Sequence, residues 1–157
     1  MPDIFLHIPK TGGGSALSAL KWVYSPGSVY QLPDKDPMLH AWKATDTLER
    51  VPPPGLLTGH IPYGAHRHLT GRCRYFTILR HPVERVVSHY FYHQAQRPES
   101  RLALLSLPEF LESEHTIAES NRQVRYLAAT DPEADPKAAL ITAKNRLVND
   151  FTAFGLT

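Results

Sequence analysis

No stretch of this 157-residue chain approaches the roughly 20 consecutive apolar residues of a membrane-spanning helix. The N-terminus runs directly into an apolar segment and leaves no room for a signal peptide, so a cytoplasmic location and no membrane partner are expected. A single cysteine, Cys73, rules out an internal disulfide and fits a reducing compartment; a small buried hydrophobe is its plainer reading. Charge of one sign is scarce too. Seventeen Lys and Arg against fifteen Asp and Glu leave a formal +2, too little to argue for nucleic acid, though an anionic ligand would not be repelled. No group of Asp, Glu, His or Cys stands at a metal-ligand spacing, so no metal is expected. Internal repeats are absent as well. What is present, 42% hydrophobic and 20% charged residues, is the composition of one globular domain spanning 1–157.

The chain is organised around residues 4–15, IFLHIPKTGGGS. Residues 4–8 are mostly apolar and read as a strand buried on both faces. Pro9 ends its ladder, and Gly12, Gly13 and Gly14 allow positive φ. From Ser15 the period changes, with Ala16, Leu17, Leu20, Val23 and Tyr24 forming the stripe of a helix. A strand, a glycine turn and a helix start together make an anion site, because unpaired N–H groups converge where no side chain obstructs them. A Walker A loop carries its lysine after the glycines, whereas Lys10 precedes them here. Gly12, Gly14 and Leu17 also break the dinucleotide pattern G-x-G-x-x-G.

Pro26, Pro33, Pro37, Pro52, Pro53 and Pro54 keep regular structure short between 25 and 55. Residues 28–32 (SVYQL) are expected as a brief strand, 41–50 as a helical turn or two, and 52–55 (PPPG) as a stiff spacer. Tyr30 and Trp42 pack under this insertion or line an acceptor pocket. Residues 56–59 (LLTG) form a second parallel strand that delivers His60 to the carboxyl edge, where ligands of open α/β sheets sit. His66, Arg67, His68, Arg72 and Arg74 follow as a solvated basic loop. Residues 74–79 are a third strand ending at Arg80-His81-Pro82, with Pro82 as the first residue of a helix. Val83, Val86, Val87, Tyr90 and Phe91 set that helix's apolar stripe, with Ser88 on another side. An arginine fork and a hydroxyl gathered at this strand end can hold a phosphate. Residues 98–150 read as helical, with helices opened by Pro108, over 117–129 and over 136–148; residues 151–156 make a last strand.

Two of these segments resemble one family. HIPKTGGGS is similar to the 5′-phosphosulfate loop of sulfotransferases that use 3′-phosphoadenosine 5′-phosphosulfate (PAPS), especially the carbohydrate-type and bacterial family 2 branch. Residues 75–92 (YFTILRHPVERVVSHYFY) resemble that family's 3′-phosphate strand and helix, in which an arginine at the strand end and a serine eight residues later bind the phosphate; Arg80 and Ser88 match both. His81 stands where the family usually has an acid. The resemblance implies an α/β, P-loop-like three-layer fold with a central parallel sheet. It also implies a PAPS co-substrate and a small-molecule or saccharide acceptor. It covers the family's first two-thirds or so, and the chain is expected to lack the C-terminal part; an uncovered sheet would then favour self-association.

Sulfuryl transfer builds charge on the oxygen leaving with the phosphate, so a fixed cation there favours the transition state. Lys10 is the candidate, with the amides of Gly12, Gly13, Gly14 and Ser15 and the hydroxyls of Thr11 and Ser15 holding the 5′-phosphate. The acceptor hydroxyl must lose a proton, and an imidazole titrates in the right range. His60, whose position resembles the family's catalytic histidine, is the choice, with His66 and His68 in reserve; His7 is placed in the core. Residues 121–127 (NRQVRYL) resemble a family helix facing the acceptor, which makes Arg125 a substrate candidate, with a surface ion pair as its other reading. A P-loop phosphotransferase and a non-catalytic nucleotide-binding remnant are the competing readings.

Overall fold

A computed structural model describes residues 1–32, 55–131 and 133–157. Trp42, the helical turn expected over 41–50 and the prolines at 52–54 lie outside these residues. Five strands form one parallel sheet: β1 (Asp3–Leu6), β2 (Val29–Gln31), β3 (Leu56–Gly59), β4 (Arg74–Leu79) and β5 (Phe151–Leu156), in the order β2-β3-β1-β4-β5. Helix α1 (Gly13–Val23) follows β1, and α2 (Pro82–Gln96) follows β4. The short helices α3 (Leu107–Glu112), α4 (Glu114–Ala118) and α5 (Arg122–Ala128) come next, and α6 (Pro136–Asn149) leads into β5. The expected α/β parallel sheet flanked by helices is what forms.

The strand at the centre is the one the sequence makes most apolar. All four residues of β1 are buried, as are all four of β3. On one face Ile4, Leu6 and Leu57 pack with Leu127 and Ala128 of α5 and Ala139 and Ala143 of α6. On the other, Phe5 stacks on Phe76 at 5.3 Å and on the His7 ring at 5.7 Å. Burying each such side chain contributes about 1.5–3 kcal/mol. By contrast β5, at the sheet's edge, buries only Phe151 and exposes the rest.

Three expectations need correction. β1 ends at Leu6, so His7 lies beyond the strand and not inside the core. The helix expected over 117–129 is broken into α4 and α5 where Asn121 turns left-handed at φ 51°. The stripe expected to bury α2 is only partly covered: Val83 is 64% and Phe91 57% exposed, Val86, Val87 and Tyr90 are half-buried, and the fully buried positions are Arg85 and His93. That inward side meets α3 and α4, whose Phe110 and His115 rings pack against it.

An ion pair ties the strands together at their amino end. Arg74 grips Asp3 with both Nε and a terminal nitrogen, at 2.6 and 2.7 Å, and the Tyr24 hydroxyl donates to the same carboxylate from the end of α1. Burial alone would raise the Asp3 pKa, but the bonds from Arg74 and Tyr24 and the Arg74 charge hold it below the ordinary 3.8. A depressed carboxyl contributes stability that is present above its unfolded pKa and lost as pH falls through the folded one. Asp3→Asn should therefore lower the melting temperature near neutrality, with the gap from wild type closing below about pH 4. A gap independent of pH would show that the ionised carboxylate is not what matters.

Candidate functional site

The glycine loop sits at the carboxyl edge of β1. Lys10 adopts φ 70° and Gly12 φ 80°, and α1 starts at Gly13, two residues earlier than the apolar period suggests. Lys10 carries this left-handed backbone without being glycine, a strain of about 1–3 kcal/mol that recurs at binding sites. Gly12 caps α1 with no side-chain hydrogen bond, and the first turn holds no acid. The N–H groups of the first turn have no helical partners and face no competing carboxylate of their own helix. Gly13 lies against His7: a Cβ there would lie 2.0 Å from the imidazole, so a larger residue would have to displace that ring. A Cβ on Gly14 would meet nothing within 4 Å.

Thr11 is turned differently from expectation. It is 1% exposed and its hydroxyl donates to the Ile8 carbonyl at 2.9 Å, which pins the loop. Any direct help it gives a ligand comes from its backbone. Lys10 rests its ammonium 4.1 Å above the Tyr92 ring. Burial and the nearby positive charge of Arg80 lower its pKa from the ordinary lysine value. The loop and the end of β4 thus form one electropositive region.

Arg80, Glu84, Ser88 and Tyr92 are spaced four residues apart, so the last three line one face of α2 above the strand end. Arg80 donates from Nε to Glu84 at 3.4 Å, and Ser88 is half-buried one turn beyond Glu84. The Arg80 backbone lies past the β4 ladder, yet both its polar groups are satisfied by one side chain. Its N–H donates to Gln123 Oε1, and its carbonyl accepts from Gln123 Nε2, each at 2.9 Å. Gln123 sits on α5, 43 residues away, and no local signal marks it.

His60 follows β3 and meets His7 edge-on at 4.6 Å between ring centroids. His7 in turn covers Gly13, so an imidazole pair borders the glycine loop. Position alone hid His7, since the apolar run of residues 4–8 made it look like strand interior. The Tyr126 hydroxyl donates to the His60 carbonyl at 3.3 Å. Gln123 and Tyr126 therefore brace the backbones of Arg80 and His60 from a single helix. Arg125 of that helix donates to the Ala118 carbonyl at the α4–α5 corner. His66 contacts the Tyr75 hydroxyl at 3.0 Å and the Tyr63 ring, which sets it apart from the His7–His60 pair.

The expectation of no metal cluster also needs correction. His89 and His93 of α2 and His115 of α4 bring one ring nitrogen each within 4.8 Å of the others. Two of them were legible as HYFYH, an i, i+4 pair on a helix; the third arrives only through tertiary packing.

No known protein-family profile matches the chain, and no functionally curated protein matches it in sequence. Among solved structures, mouse sulfotransferase SULT7A1, crystallised in complex with PAP, matches with a TM-score of 0.51 and 16% sequence identity. The match covers 99% of this chain and 51% of that one, so the chain spans about half the length of the protein it resembles. At that identity the likeness speaks of architecture alone: this parallel five-stranded sheet with its flanking helices shares the fold of that structure.

Proposed function

We propose that this chain binds PAPS and transfers its sulfuryl group to a hydroxyl acceptor, a saccharide or related small molecule. The observation that carries the reading is the uncapped, acid-free start of α1 beside Lys10, with Arg80 near enough to shift the lysine's titration. The bound PAP of the similar mouse structure fits the same assignment. PAPS supplies an activated sulfuryl group; the chain supplies position and charge. The amides of Gly12, Gly13, Gly14 and Ser15 and the Ser15 hydroxyl hold the 5′-phosphate at the helix N-terminus. Arg80 and Ser88 take the 3′-phosphate. Lys10 exchanges its Tyr92 contact, worth about 0.5–1 kcal/mol at a partly exposed site, for the charge of the phosphosulfate. His60, next to the loop, accepts the acceptor's proton. Arg125, which also donates to the Ala118 carbonyl, is the candidate for contact with the acceptor.

Calorimetry with PAP against ATP and Mg²⁺, followed by a transfer assay with labelled PAPS over a panel of saccharides and small alcohols, tests this. Preference for PAP together with labelled product is expected. Tighter binding of Mg²⁺-ATP would favour a phosphotransferase, and PAP binding without product a nucleotide-binding domain.

Glu84 sets up an informative opposite effect, because the 3′-phosphate must displace it from Arg80. An exposed ion pair is worth about 0–1 kcal/mol, so Glu84→Gln should tighten PAP binding by up to about fivefold. Weaker binding in that variant would place the phosphate away from Arg80. Self-association belongs to the same proposal, since β5 presents Phe154 and Leu156 on an open sheet edge. Sedimentation should show concentration-dependent association, and a monomer at every concentration would remove that part.

A further inference from the structure

His89 and His93 stand one turn apart on α2 with their Nε2 atoms 3.3 Å from each other. His115 of α4 completes a triangle, its ring centroid 5.4 Å from each of the other two. Phe110 of α3 closes the inner side, packing on His89 at 5.8 Å and His93 at 6.0 Å. We propose that these three imidazoles form a binding site for a divalent transition metal, with Zn²⁺ the best match, and that the metal joins α2 to α4. The site is separate from the nucleotide reading and does not depend on it.

The geometry suits that ion. Two nitrogens bound to tetrahedral zinc at 2.0–2.1 Å lie about 3.3–3.4 Å apart, the spacing His89 and His93 already have. The third nitrogen is within 4.8 Å of both, and His115 is exposed, so a side-chain rotation closes the remainder. A histidine pair at i, i+4 is the arrangement by which one helix face offers two zinc ligands. His93 is 6% exposed, so its ring is held in place beside that of His89.

The ligand atoms, not the surrounding charges, select among metals. Arg85, Arg122, Arg97 and Lys10 all bear on these rings. Those charges oppose any dication alike, whereas the all-nitrogen set specifically disfavours Mg²⁺ and Ca²⁺, which need oxygen ligands. It suits a borderline ion held by neutral imidazoles, with a solvent hydroxide or small anion at the fourth position, on the open His115 side.

Titration of the full chain with Zn²⁺, and with Co²⁺ read by its visible absorption, is the test. One Zn²⁺ per chain, intense four-coordinate Co²⁺ bands and a raised melting temperature are expected. His115→Ala, at an exposed position that should not disturb folding, should weaken Zn²⁺ binding at least about tenfold. His89→Gln should do the same, and His81→Ala, outside the cluster, should change nothing. Absence of stoichiometric binding would overturn the site and leave the trio as a hydrogen-bonded ring cluster. Binding that survives both His115→Ala and His89→Gln would likewise overturn it, by assigning the metal to other histidines.

Discussion

Replacing His60 with alanine is expected to lower turnover by about 10²–10⁴, the usual contribution of a general base, while leaving PAP affinity nearly intact. The split follows from placement. His60 borders the glycine loop through His7 and does not itself supply the loop's amides or cations. Lys10→Ala is the contrasting case and should damage affinity and turnover together, because its charge meets the phosphosulfate before and during reaction. Single-turnover rates alongside calorimetric affinities separate the two. Full turnover in His60→Ala would remove it as the base and direct the next substitution to His7, its ring neighbour.

Arg80→Ala should weaken PAP about tenfold to a hundredfold while hardly affecting adenosine 5′-phosphate, which lacks the 3′ group. The magnitude is that of one charge-assisted phosphate contact, about 1.5–3 kcal/mol. The comparison is clean because Gln123 holds the Arg80 backbone from both sides, so loss of the guanidinium should not move the chain. Equal losses for the two nucleotides would break the assignment of Arg80 to the 3′-phosphate. Gln123→Ala would then report on the loop's position and not on the charge.

Much of the sheet was legible because its strands are bounded by residues with strong local preferences. Leu56–Gly59, Arg74–Leu79 and Phe151–Leu156 are short apolar or β-branched runs, the first closed by glycine and the second followed by a proline three residues on. The glycine loop and Arg80 were visible for the same reason, since both sit at a strand end where the chemistry is local. What escaped was set by packing between distant segments. Periodicity indicated a fully apolar inner face for α2, but the helices that follow bury a polar flank most deeply, at Arg85 and His93, and leave Val83 and Phe91 exposed. Gln123 and His115 gain their meaning only from partners many residues away. Thr11 was right as a loop residue and differently oriented, because burial at the turn directs its hydroxyl to Ile8.

The placement of β1 in the middle of the sheet has a consequence for how the molecule comes together. Asp3 and Arg74, neighbours across β1 and β4, are 71 residues apart in the chain, so the first strand made waits for partners made much later. Pairings of this kind must close long loops before any contact rewards them, which slows folding relative to local topologies. Two long-range bonds flank the glycine loop: the Gly59 carbonyl accepts from the His7 N–H before it, and the Thr157 hydroxyl donates to the Thr11 carbonyl within it. During synthesis the loop therefore gains its shape in stages, first when β3 docks and again when β5 does. A nucleotide that recognises the finished loop would bind only after the last of these steps and would draw late intermediates toward the native state.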